Sequence, residues 1–158
     1  MTDAPTQRIE TDVFHLDIDA GWVRQEVPGA PFGTAAFRHR DTGFSLFQTV
    51  GSHEAEDDDA RKAVIMQVMS ERLDTLQGNG HAVEPGKIAF DARQHGPLGV
   101  SDVILDSERY GVMAVHAMPG LAVVHFVDGP VGQEEAVREA MRRIADTVRY
   151  RGDVSLSL

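Results

Sequence analysis

The 158-residue chain carries 15 Lys plus Arg against 25 Asp plus Glu, a formal net charge of −10, and has no cysteine. The length suits one domain with a single core, and 42% hydrophobic with 25% charged residues excludes disorder over most of the chain. The negative field is unrelieved by any Lys/Arg-rich run, which argues against nucleic acid and anionic membrane surfaces as partners. The lack of thiols excludes disulfides, cysteine nucleophiles and thiolate metal sites.

Residues 1–12 read as a flexible N-terminal segment: Met1–Arg8 is polar, contains Asp3 and Pro5, and has no apolar core of the kind a signal peptide needs. No apolar run approaches the ~20 residues of a membrane span, so no membrane insertion is expected and the expected location is the cytoplasm. Val13–Ile18 alternates, with Phe14, Leu16 and Ile18 on one face and His15 and Asp17 on the other, which predicts a half-buried strand. His15 and, further on, His39 are expected to point outward. After an Asp19-Ala20-Gly21 turn, Trp22, Val23 and Val27 form a short element that ends at Pro28, and 28–33 is loop by composition. Thr34–Arg40 and Phe44–Val50 form a hairpin across Asp41-Thr42-Gly43. Phe44, Leu46, Gln48 and Val50 share one of its faces, and Ser45, Phe47 and Thr49 the other.

A helix follows Asp57-Asp58-Asp59, whose carboxylates complement the positive end of the helix dipole. Its stripe is Ile65, Met69, Leu73 and Leu76, widened by Val64 and Val68, and Gly78-Asn79-Gly80 stops it. Strands are predicted over Lys87–Arg93, Val100–Leu105, Gly111–Met118 and Leu121–Val127, the last two forming a hairpin about Pro119-Gly120. A second helix over Gln133–Arg149 shows Val137, Ala140, Met141, Ile144, Ala145 and Val148 on one face. Residues 150–158 form a tail without pattern. Connections too short for parallel crossovers make this a single α+β domain over 13–149. The expected architecture is an antiparallel-rich central sheet of about six to seven strands with two main helices packed on it.

The opening strand Phe14-x-Leu16-x-Ile18, followed after a short turn by Gly21-Trp22, resembles the start of PsbP/Mog-like domains. The helix after the first hairpin, the four-strand meander and the closing helix are similar too, so the resemblance spans Val13 to Arg149. It implies binding without catalysis, since the group includes photosystem subunits, a Ran-binding nuclear import factor, bacterial lipoproteins and the Eag-type chaperones of type VI secretion effectors. An acidic chain with 13 Arg, 2 Lys and no leader-like start fits the last branch, which implies a homodimer that shields apolar client helices on its sheet.

The residues themselves offer little chemistry. The acidic run Glu54–Asp59 lacks the glycine and closing Glu of a calcium loop and reads as a solvated helix start. A two-residue turn at Pro119-Gly120 sets His116 opposite Val123 and Ala114 opposite His125, placing the two histidines diagonally on one face, about 7 Å apart. No third ligand has a position, so no metal or cofactor is expected. No serine sits in a nucleophile elbow, Asp102 and Asp106 cannot be singled out as acid and base, and Arg151-Gly152-Asp153 reads as chance. Met66, Met69, Met113, Met118 and Met141 suit either core packing or an adaptable partner surface. The strand pair 111–118 and 121–127 is apolar on both faces. If both helices lie on one face, a second subunit or a ligand must cover the other.

These observations lead to a non-enzymatic binding protein whose partner-binding residues are Phe47, Gln48, Met113, His116, Met118 and His125. The expected partners are a protein client with an apolar helical segment and a second copy of the chain. The alternatives are a ligand or metal site at His116 and His125, and an immunity-type protein that blocks a toxin.

Overall fold

The computed structural model describes residues 6–10, 14–29, 34–93, 96–147 and 149–150. The predicted start of the first strand at Val13, most of the 28–33 loop, Val148 and the tail from Arg151 lie outside the described residues. The elements run β1 (Thr6–Glu10), β2 (Phe14–Asp19), β3 (Trp22–Gln25), β4 (Ala35–His39), β5 (Ser45–Ser52), α1 (Asp58–Gly78), β6 (Val83–Pro85), β7 (Ala89–Arg93), β8 (Gly96–Leu105), β9 (Arg109–Met118), β10 (Leu121–Pro130), α2 (Glu134–Thr147) and β11 (Arg149–Tyr150).

The α+β architecture is the expected one, with more strands than the alternation alone marks. An eight-stranded antiparallel sheet has the order β3-β4-β5-β10-β9-β8-β6, with β7 also paired to β8, and a three-stranded sheet has the order β1-β2-β11. Two short expectations change. Within the segment expected to be flexible, Thr6–Glu10 pairs antiparallel with β2, placing Ile9 opposite Leu16. Gln7 fastens it by donating to the carbonyls of Asp19 at 3.1 Å and Trp22 at 2.6 Å. At the other end, the closing helix stops at Thr147, and Arg149–Tyr150 crosses back to pair with β2.

The β9–β10 hairpin is the centre of the sheet, and its register is the predicted one: Met118 opposite Leu121, His116 opposite Val123, Ala114 opposite His125. Gly120 supplies the turn with φ of 79°. Both faces of the hairpin are covered, one helix to each. On one face, Ile65 and Met69 of α1 pack on Met113, Val115, Ala117, Ala122 and Val124. On the other, Val137, Met141 and Ile144 of α2 join Leu16 and Ile18 of β2 over Val112, Ala114, Val123, Val127 and Leu46. The requirement for a second subunit over this hairpin therefore falls away. The apolar character of both faces is explained by burial between two layers.

Asp57 caps α1 as the acidic run suggested, its Oδ1 accepting from the Ala60 N–H at 2.7 Å. Helix α1 sits close to β8 because residue 99 is glycine: a Cβ there would lie 2.5 Å from Ile65 Cγ2. Gly99→Ala should lower stability by about 1–3 kcal/mol through this overlap, and Asp57→Ala by about 1 kcal/mol through the lost cap. Urea unfolding of the two variants beside the wild type measures both.

Candidate functional site

The six residues expected to bind a partner divide between the two faces. Directly paired residues lie on the same side of a sheet. Gln48, His116, Met118 and His125 therefore belong to the α2 face, and Phe47 and Met113 to the α1 face. Met113, Met118, Gln48 and His125 are buried, whereas Phe47 and His116 are partly exposed. The structure does not bring the six together into one surface.

The two histidines are held within the fold. His125 is 4% exposed, and its Nδ1 is 3.0 Å from the Gln48 amide nitrogen. His116 Nε2 is 3.1 Å from the Gly96 carbonyl oxygen. Burial, with the neighbouring His116 as the lesser cause, pushes the His125 pKa down to about 4, so its ring is neutral at pH 7. Among the described residues, no group of three or more His, Asp or Glu side chains could hold a metal ion.

Two smaller expectations, the outward His39 and the shared strand face of Asp102 and Asp106, are corrected by the tertiary contacts. His39 does not point outward: it is 8% exposed, packs edge-on against Trp22 and lies 3.2 Å from an Asp19 carboxylate oxygen. Its Nδ1 accepts the N–H groups of Asp41 and Thr42 and so organises the β4–β5 turn. Asp102 and Asp106 do not share a strand face. Asp106 lies in the β8–β9 turn with φ of 55° and bonds the His81 ring at 2.7 Å. That bond and the Ala82 N–H hold its carboxyl below the ordinary range. Of the five methionines, Met66 alone is exposed, and the other four are buried core residues.

A cleft of about 770 Å³ lies between α2 and strands β8 and β9, with Leu98, Val100, Val112 and Met141 on its apolar side. Three of its polar side chains are bonded in series. The Tyr110 hydroxyl donates to Asp102 Oδ2 at 3.1 Å and accepts from Arg138 Nη1 at 3.0 Å, and the guanidinium stacks over the ring. This chain of bonds ties α2 to the sheet, and burial raises the Tyr110 pKa.

The exposed apolar surface lies elsewhere, on the α1 face. Helix α1 packs on β8, β9 and β6 and meets β5 at the end that carries Thr49, which leaves Ala36 of β4 and Phe47 of β5 partly exposed on that side. The register aligns Ala36 with Phe47, and Phe47 with Phe126, in one row across three strands. All three are partly exposed, and Val23 on the edge strand β3 is 46% exposed. The Phe126 ring packs over Gly111 of β9, where a Cβ would lie 2.6 Å from it. Arg38, exposed on the same face, flanks the row. Sequence reasoning found Phe47 but missed Val23, Ala36 and Arg38. They become neighbours only through the β3–β4–β5 register.

No protein-family model matches the chain, and no curated protein sequence is similar to it at a significant level. Among solved structures, the chain is similar to cyanobacterial PsbP (CyanoP) from Synechocystis sp. PCC 6803. The TM-score is 0.72 at 16% identity, over 95% of each chain. A protein from Bacteroides thetaiotaomicron VPI-5482 matches with a TM-score of 0.49 at 13% identity, over 89% of this chain and 46% of that one. The fold is therefore PsbP-like.

The buried neutral His125 predicts the acid limb of stability. An unfolded histidine binds its proton near pH 6.5, the folded one near 4, so between these values the unfolded state binds more protons and stability falls as pH falls. The His125 contribution should drop by about 3 kcal/mol from pH 7 to pH 4. His125→Gln should remove that part of the slope, as read from urea unfolding of both proteins at several pH values.

Proposed function

We propose that this is a non-catalytic binding protein of the adaptor or chaperone kind. It docks an apolar helical segment of a protein client on the α1 face, across β3, β4, β5 and β10. The observation that carries this reading is the partly exposed row Ala36, Phe47 and Phe126 at the edge of α1, with Val23, 46% exposed, on the same face one position along, opposite Arg38. Contiguous exposed apolar surface is costly in a soluble monomer and marks sites of association. Arg38, exposed beside the row, supplies a local cation that favours an acidic residue flanking the client's apolar stripe.

In its sharpest form the client is a secretion effector and the protein an Eag-type chaperone working in the cytoplasm. That form rests on the sequence resemblance together with the PsbP-like fold. An immunity protein would use the same face and differ only in what it covers. A small-ligand role centred on His116 and His125 is disfavoured by their bonds inside the fold. The volume of the α2 cleft, within the range of roughly 300–1,000 Å³ usual for ligand sites, is what favours a ligand in place of a client.

Titration of the isotope-labelled protein with a synthetic amphipathic helix bearing acidic flanks should shift amide signals around Ala36, Phe47 and Phe126. Phe47→Asp should weaken that binding by about tenfold or more. Shifts confined to the α2 cleft, or none at all, would sink the docking reading. Light scattering adds one more outcome: a dimer that becomes monomeric in Phe47→Asp would make the occupant a second copy of the chain.

A further inference from the structure

Between α1 and β5 lies a slot of about 300 Å³ whose apolar lining includes Val64, Val68, Ala122 and Val124. Arg72 enters it from α1, partly buried, and Nη2 donates to the Thr49 hydroxyl. Among the described residues no carboxylate lies within ion-pair distance of this guanidinium, and Thr49 takes only one of its five N–H donors. Its sequence neighbour Glu71 instead accepts from the Gln67 amide at 3.1 Å. Several other arginines are matched with acids: Arg61 with Asp58, Arg93 with Asp91, Arg109 with Asp128, Arg143 with Glu139. A guanidinium partly withdrawn from water beside a neutral hydroxyl keeps free donors that an anion would complete. The same desolvation draws the Arg72 pKa below its ordinary value.

We infer that the slot is a carboxylate-binding site, with Arg72 and Thr49 as its polar end and the aliphatic lining holding the stem of the acid. A guanidinium fork matches a planar carboxylate with two parallel bonds. The aliphatic lining suits a short hydrocarbon stem. Glu71 at the rim and the overall negative charge disfavour a dianion such as phosphate. The slot is continuous with the docking face, because Thr49 and Val124 are the next same-face residues after Phe47 and Phe126 on β5 and β10. The bound acid is therefore a glutamate side chain of the docked client, an identity that rests on the docking reading above.

The test uses the labelled full chain at constant ionic strength, titrated separately with butyrate, butyramide and inorganic phosphate. Butyrate should produce saturable shifts at Thr49, Val68 and the Arg72 side chain. Butyramide and phosphate should bind about tenfold more weakly or worse, because neither offers a singly charged planar fork partner. Arg72→Gln, checked for folding by its thermal midpoint, should weaken butyrate by a similar factor. Arg72→Lys, which keeps the charge and loses the fork, should fall between. Absence of saturation with butyrate, equal binding of phosphate or butyramide, or undiminished butyrate binding by folded Arg72→Gln each overturns the site. If Arg72→Gln does not fold, the three-ligand comparison on the wild type decides. A helix peptide that docks at Phe47 while butyrate fails at Arg72 removes the slot and leaves the docking reading. Butyrate saturation without peptide docking does the reverse.

Discussion

The rest of the structure depends on the burial of a two-stranded hairpin on both sides. β9 and β10 carry apolar residues at nearly every position, and a half-buried strand would need polar residues at alternate ones. Such a pair is stable only as the middle of three layers. Helix α1 supplies one outer layer, and α2 with the small sheet β1-β2-β11 supplies the other. At roughly 25 cal/mol per Å² of apolar surface withdrawn from water, the hairpin is where folding gains most.

Two helices do not cover eight strands. Helix α1 is anchored over β8 and β9, where Gly99 lets Ile65 approach, and it meets β5 at the end that carries Thr49, which leaves Ala36 of β4 and Phe47 of β5 partly exposed on that face. On the opposite face these strands are covered, since Phe37, Leu46, Leu16, Ile18 and Trp22 belong to one core with α2. The asymmetry makes one half of one face the place for a partner. The polar groups buried on the α2 face serve the fold instead: Gln48 meets His125, and His39 fastens the β4–β5 turn. Likewise the Asp102–Tyr110–Arg138 chain holds α2 in place.

Much of the fold was legible before any coordinates, for reasons that are local. The Pro119-Gly120 turn sets the β9–β10 register, because a two-residue loop permits one pairing. Asp57 and Gly78-Asn79-Gly80 bound α1 through capping and stop signals carried by the residues themselves. The strands that escaped notice, β1, β6 and β11, are short, and their pairing rests on distant partners. Thr6–Glu10 becomes a strand because β2 offers an edge and Gln7 finds two carbonyls.

The functional surface was much less legible. Period-two alternation assigned Phe47 and Gln48 to opposite faces correctly, yet it could not say which face would be covered. His39 sits in an alternating strand and reads as outward from its neighbours, but Asp19 at the end of β2 and Trp22 at the start of β3 enclose it. The sequence by itself determined composition class, helix ends, the central hairpin and its double-sided apolarity, all of which follow from residues near one another in the chain. Only the tertiary structure decided which helix lies on which face, that His125 is interior while His116 meets the Gly96 carbonyl, and that Phe47 lines up with Phe126 next to the Thr49 that Arg72 bonds. Each of those depends on packing between elements far apart in sequence, and a residue's own neighbours do not encode what will be stacked against it.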